Sequence, residues 1–459
     1  MEQITKPHCG ARLDRLPDCR WHSSMFAIVS FGLLVCWSNA VGGLILAQLK
    51  ELGWTDNSTT ATFSAITTAG MFLGALVGGI IGDKTGRRNA FILYEAIHIA
   101  SMVVGAFSPN MDFLIACRFV MGVGLGALLV TLFAGFTEYM PGRNRGTWSS
   151  RVSFIGNWSY PLCSLIAMGL TPLISAEWNW RVQLLIPAIL SLIATALAWR
   201  YFPESPRWLE SRGRYQEAEK VMRSIEEGVI RQTGKPLPPV VIADDGKAPQ
   251  AVPYSALLTG VLLKRVILGS CVLIAMNVVQ YTLINWLPTI FMTQGINLKD
   301  SIVLNTMSMF GAPFGIFIDM LVMDKIPRKT MGVGLLILIA VLGYIYSLQT
   351  SMLLITLIGF FLITFVYMYV CYASAVYVPE IWPTEAKLRG SGLANAVGRI
   401  SGIAAPYAVA VLLSSYGVTG VFILLGAVSI IVAIAIATIG IETKGVSVES
   451  LSIDAVVNK

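Results

Sequence analysis

Twelve long apolar segments follow one another along this chain of 459 residues. A bilayer core is about 30 Å thick, and a helix needs roughly 20 apolar residues to cross it. The composition agrees with a location in the bilayer. Of the residues, 55% are hydrophobic and only 13% are charged, whereas soluble domains carry roughly 25% charged residues. We therefore predict an all-α membrane protein with twelve transmembrane helices. The predicted spans are 24–48, 60–82, 89–108, 111–137, 150–172, 181–201, 266–293, 301–323, 331–349, 352–377, 391–414 and 418–440.

Lysine and arginine residues indicate which side of the membrane the termini occupy. Cytoplasmic loops retain these residues, so the side that is richer in them is expected to be the cytoplasmic one. With the N-terminus inside, eleven fall in the inner loops and their flanks, and three fall in the outer loops. An even number of spans then predicts that both termini are cytoplasmic. The inner set is Lys84, Arg87, Arg88, Arg143, Arg145, Arg151, Lys325, Arg328, Lys329, Lys387 and Arg389, and the outer set is Lys50, Arg181 and Lys299.

Two pairs of charged turns recur at matched positions in the two parts of the chain. "DKTGRR" from Asp83 joins spans two and three, and "DKIPRK" from Asp324 joins spans eight and nine. "EYMPGRNRG" from Glu138 and "EIWPTEAKLRG" from Glu380 join spans four and five and spans ten and eleven. These repeated turns predict a duplication into two pseudo-symmetric six-helix bundles. The predicted segments are a cytoplasmic N-terminus 1–21, a first bundle 22–202, a cytoplasmic linker 203–264, a second bundle 265–441 and a cytoplasmic tail 442–459.

The same motifs resemble those of transporters of the major facilitator superfamily. "G-x-x-x-D-K-x-G-R-R" from Gly79 matches the family's loop between spans two and three, and "RFVMGVGLG" from Arg118 matches its span-four motif. "PESPRW" from Pro203 and "ETKG" from Glu442 resemble the branch of sugar porters and metabolite–proton symporters, with the YdjE-like inner-membrane metabolite transporters as the most similar group. The resemblance covers about residues 15–450. It implies the twelve-helix fold of this superfamily, secondary transport and a place in the bacterial inner membrane.

The charged turns are candidates for a cytoplasmic gate. A carboxylate is favoured near a helix N-terminus, and arginine pairs with carboxylates through two parallel hydrogen bonds. Ion pairs that form when the two bundles close on the inner side would favour one access state. The alternative is that these residues only fix the topology. The candidate gate residues are Asp83, Arg87, Arg88, Glu138, Arg145, Asp324, Arg328, Glu380, Arg389, Glu204, Arg207 and Glu442.

Arg399 is an unusual residue because it lies deep within predicted span eleven, about 12 Å from the cytoplasmic end at a rise of 1.5 Å per residue. A charge in hydrocarbon is costly unless it meets a partner or a cavity. Its guanidinium is suited to a carboxylate or phosphate substrate, with Asn395 one turn away. The alternative is structural pairing with Glu95 or Asp319, or a side chain that extends towards the inner face.

Glu95 and His98 are candidates for proton coupling, together with Asp319. Their spacing of three residues places Glu95 and His98 on one face of a helix, where a buried carboxyl beside an imidazole could accept a proton. The alternative is a hydrogen-bonded structural pair. In related proton-coupled sugar porters the arginine that corresponds to Arg118 works with an aspartate in span one, whereas span one here contains Asn39 and no acid.

Polar residues in spans five and seven could orient a small polar ligand or merely join helices. Span seven ends in "NWLPTIF", which resembles the end of this span in hexose porters, but Ala275 and Met276 replace the paired glutamines of those proteins. A hexose-type site is therefore not predicted. The candidate substrate-binding residues are Arg399, Asn395, Asn157, Trp158, Gln280, Tyr281, Asn285, Trp286 and Arg118.

The function predicted from the sequence is secondary transport of a small metabolite by alternating access, with an organic anion as the favoured substrate. The driving force is either the gradient of the ligand or a proton that moves with it. A sugar, polyol or drug is the alternative cargo, and a transporter-like nutrient sensor is the alternative from another class. We expect no enzymatic activity, no cofactor, no metal and no nucleic-acid partner, and we expect a monomer embedded in lipid. Seven scattered cysteines without a C-x-x-C pair favour neither a disulfide framework nor a zinc site.

Overall fold

A computed structural model describes residues 7–17, 19–33, 36–141, 145–240, 253–323, 325–383 and 386–444. Throughout these ranges the regular secondary structure is helical, and they contain no β-strand. Two of the candidate gate positions are affected by the gaps. Asp324 lies outside the described residues, and of Arg145 only the backbone is described, at the start of a helix.

The helices follow the predicted spans closely. Span one consists of three consecutive helices, span five of two, and span eight of two, while spans eleven and twelve form one long helix. In chain order the spans are Arg20–Leu33 with Trp37–Ala40 and Gly42–Glu51; Asn57–Thr85; Arg87–Ala106; Met111–Tyr139; Arg145–Asn157 with Ser159–Leu170; Ala176–Tyr201; Gly260–Thr293; Leu298–Met309 with Gly311–Val322; Arg328–Ser347; Met352–Cys371, continued by Tyr372–Tyr377 and Val378–Glu380; and Lys387–Ile439. Four shorter helices lie outside the spans: Cys9–Asp14, Pro206–Ser211, Tyr215–Thr233 and Tyr254–Leu257.

Ten helical segments in the described part of the chain are long and apolar enough to cross a membrane. The difference from twelve lies in the last segment and in span five. Gly417 interrupts the last segment with φ 64°, a left-handed conformation that glycine adopts readily, so this segment contains two spans. Span five, whose helix breaks at Trp158, is not among the ten. The structure is therefore consistent with twelve crossings.

The chain forms two compact units whose boundary cuts spans one, two, five and six. Unit 1 comprises residues 1–39, 70–159 and 184–246, and unit 2 comprises residues 40–69, 160–183 and 247–459. Unit 2 therefore contains parts of spans one, two, five and six together with the spans of the second part. The predicted bundle boundaries at 22–202 and 265–441 remain a prediction from the sequence.

In unit 1, spans two and four pack at close range along a row of small residues. A Cβ atom on Gly74 would lie 2.0 Å from the carbonyl oxygen of Val123, and one on Gly126 would lie 2.1 Å from the carbonyl oxygen of Met71. No side chain fits at such distances, so glycine is required where these backbones touch. The glycine-rich "GVGLG" sequence thus serves helix packing, as small residues do in membrane proteins.

In unit 2, the Gly42–Glu51 part of span one packs tightly against span seven. A Cβ atom on Gly43 would lie 2.5 Å from the carbonyl oxygen of Ile284. Nearby, the Lys50 ammonium donates to the Asn57 side chain at 3.0 Å, and the Asn57 amide donates to Ser414 of span eleven at 3.0 Å. These contacts join spans one, two, seven and eleven within unit 2.

The N-terminal helix Cys9–Asp14 docks onto the linker helices in unit 1. Its apolar residues share a buried cluster with Trp208, Met222 and Ile225. Arg12 forms ion pairs with Glu219 and Glu226, and the Glu226 carboxylate also accepts from Arg15 at 2.7 Å. Burial opposes the charge of Glu226, but the hydrogen bonds from Arg12 and Arg15 outweigh it, so the pKa of this carboxyl lies below its ordinary value.

We expect Arg12→Ala to detach this helix, because two partly buried carboxylates lose their common partner at a cost of roughly 2–4 kcal/mol. In the native protein the same stabilisation is complete above the unfolded carboxyl pKa of about 4.3 and is lost as the pH falls through the lower folded value. Hydrogen exchange of residues 9–16 measures the detachment. Arg231→Ala, on the same linker helix, is the control, and equal protection in Arg12→Ala would contradict the docking role.

Candidate functional site

The charged turn between spans two and three is held by a network of ion pairs in unit 1. The Arg87 guanidinium contacts Asp83 at 2.7 Å and Glu138 at 2.8 Å. The Glu204 carboxylate accepts from the backbone N–H groups of Arg87 at 2.7 Å and Arg88 at 3.2 Å. Glu204 therefore caps the N-terminus of span three, where a carboxylate is favoured by the helix dipole.

The equivalent turn of the second part repeats this arrangement in unit 2. Arg328 contacts Glu380 at 3.1 Å. The Glu442 carboxylate accepts from the backbone N–H groups of Arg328 at 2.8 Å and Lys329 at 3.1 Å. Arg328, Glu380 and Glu442 thus repeat the roles of the equivalent residues around span three. The similarity between the two charged turns is therefore present in their three-dimensional contacts as well as in their sequences.

The two capping glutamates differ in how deeply they are buried. At Glu204 burial is the stronger influence and raises the pKa, although three backbone N–H groups donate to it. At Glu442 burial is outweighed by the backbone N–H groups of Arg328 and Lys329, and the pKa falls below its ordinary value. The two turns are therefore alike in geometry but not in electrostatics.

Most other candidate gate residues also have partners within the described residues. Arg88 donates to the carbonyl oxygen of Trp199 at 2.5 Å, Arg207 pairs with Asp14 at 3.0 Å, and Arg389 lies 5.2 Å above the ring of Tyr254. Each of these contacts joins elements of the same unit. A latch that forms across the two bundles therefore remains a hypothesis.

A buried polar network surrounds Glu95 and His98 in unit 1. His98 Nε2 lies 2.8 Å from the hydroxyl of Ser38 in span one, and His98 Nδ1 lies 3.4 Å from the hydroxyl of Ser191 in span six. Glu95 Oε2 lies 3.6 Å from His98 Nδ1. Both side chains are fully buried, and neither carboxyl oxygen of Glu95 accepts a hydrogen bond from the residues that the structure describes.

Arg118 joins the same network from span four. It is 2% exposed, and its guanidinium donates to the backbone carbonyl oxygen of Ser38 at 2.7 Å. Ser38 thus contacts both Arg118 and His98. This connection places a basic residue and a titratable pair around one segment of span one.

The candidate residues of span seven lie in unit 2 beside spans eleven and ten. A Cβ atom on Gly402 would lie 3.1 Å from the ring of Tyr281, so this ring packs directly on span eleven. Gln280 and Tyr160 approach the hydroxyl of Tyr367, and the rings of Tyr160 and Tyr367 meet edge to face at 5.3 Å. Span seven thus contributes to a polar, aromatic surface within unit 2.

Arg399 lies in span eleven between two glycines that pack on span seven. Gly398 approaches the Asn277 amide, with 3.0 Å from a Cβ atom to the amide nitrogen, and Gly402 faces Tyr281. Arg399 Nη1 is buried and has no hydrogen-bond partner among the described residues. Asn395, one turn earlier, is exposed and donates to the carbonyl oxygen of Ser391 at 2.9 Å. The arginine therefore retains an unsatisfied donor.

The remaining candidates have surroundings of other kinds. Trp286 is fully buried in an apolar cluster with Ala61 and Ile290, and neighbouring Asn285 is also buried. Asn157 donates to the carbonyl oxygen of Ser153 at 2.8 Å, at the break of span five beside Trp158.

Asp319 is 2% exposed in span eight and adjoins Cys371 of span ten. Cys371 directly precedes the π-helical turn Tyr372–Tyr377. Such turns occur frequently at functional sites.

Several polar residues of these surfaces are not among the sequence-based candidates. Asn305 of span eight donates to Ser164 of span five at 3.0 Å, and Tyr160 and Tyr367 pair their rings. An asparagine inside an apolar span was a usable signal for Asn305. Serine and tyrosine are common in transmembrane helices, so the sequence does not single out Ser38, Ser164 or Tyr367.

Comparison with known proteins decides the family. The sequence model of the Major Facilitator Superfamily matches residues 26–406, which is most of the chain. The chain belongs to the Major Facilitator Superfamily. The predictions of its fold class and of a transporter rather than an enzyme are thereby confirmed.

Members of the superfamily from Escherichia coli are similar over nearly the whole chain. The "Putative metabolite transport protein YdjK" of strain K12 is 99% identical over 459 residues, with both proteins covered completely. The "Inner membrane metabolite transport protein YdjE" of the same strain is 44% identical over 455 residues, or 98% of this chain and 99% of that protein. The partially occluded, inward-open structure of the E. coli xylose transporter XylE matches with a TM-score of 0.73 at 18% identity, covering 93% of this chain and 100% of that one. The chain is thus a multi-pass membrane transporter with the fold of its superfamily.

Proposed function

We propose that this protein is a secondary active transporter of a small organic anion, that it works by alternating access, and that a proton moves with the substrate. Its relatives are named as metabolite transport proteins, which supports a metabolite as the cargo. The choice of an anion rests on Arg399. The alternation is supported by the tight packing of spans one and two against spans seven and eleven, which we interpret as a closed end of the transporter.

The buried Nη1 of Arg399, which has no hydrogen-bond partner among the described residues, is the observation that carries the proposal. A buried donor without a partner costs roughly 1–3 kcal/mol, and more if it is charged. A carboxylate offers two oxygens in the geometry that arginine prefers. We therefore assign the substrate carboxylate to Arg399, with Asn395, Gln280 and Tyr281 available to contact the rest of the molecule. Contributions from Asn157, Trp158, Asn285, Trp286 and Arg118 stay part of the wider proposal.

Glu95 is the proposed proton carrier, with His98 as its neighbour and Asp319 as the second candidate. A carboxylate that accepts no hydrogen bond from the described residues is costly to keep charged in the interior, and His98 Nδ1, at 3.6 Å, is the neighbouring titratable group. Ser38 and Ser191 connect His98 to spans one and six, so movement of these spans changes the surroundings of the pair. This coupling gives the protonation of the pair a direct connection to conformational change.

Glu95→Gln tests the proton site, because glutamine keeps the shape of the side chain but cannot take up a proton. We expect accumulation driven by a pH gradient to disappear in proteoliposomes, whereas exchange of substrate at equal pH continues. Glu177→Gln, at an exposed position in the first turn of span six, is the control. Full pH-driven accumulation by Glu95→Gln would exclude this proton site.

The topology that we propose has both termini in the cytoplasm and the charged turns at the inner face of the bacterial inner membrane. The excess of lysine and arginine in the inner loops supports it. The two matched ion-pair networks then lie at the cytoplasmic ends of spans three and nine, where they could stabilise the inward-closed state. The closure around Gly43 and Ser414 lies at the periplasmic end.

A thermal-shift screen of the purified protein identifies the substrate class. Metabolite carboxylates are expected to raise the melting temperature, and neutral sugars and polyols are not. The responding carboxylate is then used for uptake into proteoliposomes with and without a pH gradient. A response to polyols alone would overturn the anion assignment, and binding without uptake would favour the sensor.

A further inference from the structure

A cleft lies in unit 1 between the linker helix Tyr215–Thr233 and the ends of spans one, three and six. Its volume is about 670 Å³. Span three contributes Arg88 and span six contributes Tyr201, while Lys220 lines it from the linker helix. Every lining residue belongs to unit 1, and the transport mechanism proposed above makes no use of this space.

The acidic residues of the cleft are already engaged. Glu204 accepts from the backbone at the start of span three, and Glu217 forms an ion pair with Arg214 at 2.6 Å. Two cations remain without a carboxylate partner among the described residues, although Arg88 Nη2 donates to the carbonyl oxygen of Trp199 at 2.5 Å. Arg88 Nε is buried with no hydrogen-bond partner in the described ranges, and Lys220 is exposed and forms no ion pair within those ranges.

The cleft adjoins a face of span six that is suited to lipid. The exposed apolar residues along this face are Ile189, Leu192, Ile193, Leu197, Trp199 and Tyr201. Aromatic residues are typical of the headgroup level of a membrane. Tyr201 belongs to this face and to the wall of the cleft, so a molecule with acyl chains on span six would bring its headgroup to Arg88 and Lys220.

We propose that this cleft binds the headgroup phosphate of an anionic phospholipid. Arg88 supplies the guanidinium N–H groups that the carbonyl oxygen of Trp199 does not use, and Lys220 supplies a point charge. Basic pockets beside transmembrane helices bind such headgroups. The lipid would tie the linker helix to spans three and six, which carry the adjoining ion-pair network.

Native mass spectrometry of the full-length protein in detergent, titrated with phosphatidylglycerol, tests this site. The double variant Arg88→Gln/Lys220→Gln is expected to bind the lipid roughly 30-fold more weakly, and Lys220→Gln alone roughly fivefold, at the contribution usual for a basic residue near an anionic surface. Lys84→Gln/Arg231→Gln removes the same charge outside the cleft and is expected to bind as the native protein does. The single Lys220 variant keeps the test valid if Arg88→Gln fails to fold.

Three outcomes would overturn the proposal. The first is equal retention of phosphatidylglycerol by the native protein and by the cleft variants. The second is equal retention of phosphatidylcholine, which would indicate a general lipid belt. The third is displacement of the lipid by inorganic phosphate at millimolar concentration, which would indicate a soluble phosphate ligand in its place.

Discussion

Proteoliposomes with Arg399→Ala are expected to take up the carboxylate substrate roughly 30- to 1,000-fold more slowly than those with the native protein. Truncating one partner of a buried, hydrogen-bonded charge pair costs about 2–5 kcal/mol, and each 1.4 kcal/mol corresponds to a factor of ten. Arg399→Lys should recover only part of the activity, because an ammonium lacks the planar pair of donors. Uptake of the carboxylate identified by thermal shift is the measurement.

A neutral analogue of the same substrate separates binding from structure. If Arg399 contacts the carboxylate, the alanine variant binds the neutral analogue as well as the native protein does. Arg200→Ala changes an exposed arginine at the end of span six and should leave uptake unaffected. Equal loss of the acid and of its neutral analogue would mean that Arg399 is a structural residue, and unimpaired uptake of the acid would refute the anion assignment.

Gly43→Val is expected to prevent closure of the periplasmic end and to reduce uptake roughly 10- to 100-fold. Overpacking costs about 1–3 kcal/mol, and here the obstacle is the backbone carbonyl of Ile284, which lies 2.5 Å from a Cβ atom. Span one belongs to the first predicted bundle and span seven to the second. Because alternating access requires this contact to form and break, the variant should remain open on this side.

Labelling of an introduced cysteine shows directly whether the periplasmic side stays open. Ala61 is fully buried in the cluster around Trp286, so Ala61→Cys should resist an impermeant maleimide in the native background and react when combined with Gly43→Val. Gly169→Val is the matched control, since a Cβ atom there meets nothing within 4 Å. Normal uptake by Gly43→Val, or continued protection of the cysteine, would contradict the gating role.

Local patterns in the sequence were sufficient for the architecture. Each apolar segment reports one crossing, and the charged turns at Asp83 and Asp324 reveal the duplication because two equivalent turns need equivalent residues. The structure adds that Glu204 and Glu442, from motifs far along the chain, cap spans three and nine. Of the glycines after Arg118, Gly126 lies where span four touches Met71 of span two.

Contacts between distant parts of the chain could not be predicted in this way. The N-terminal segment gave no sign that Arg12 reaches Glu226, because an ion pair over such a separation leaves no periodic pattern. Trp286 illustrates the opposite difficulty. An indole beside an asparagine and a proline suggested a ligand contact, whereas the fold buries this ring in an apolar cluster. These surroundings follow from the packing of spans two, seven and eleven, which a local sequence pattern does not contain.

Substrate exchange across the membrane tests most directly whether this chain is a carrier. Proteoliposomes are preloaded with the unlabelled carboxylate, and uptake of the labelled compound is compared with that of empty vesicles. A site that faces one side and then the other predicts several-fold faster uptake into the preloaded vesicles. Equal uptake with and without internal substrate would contradict alternating access.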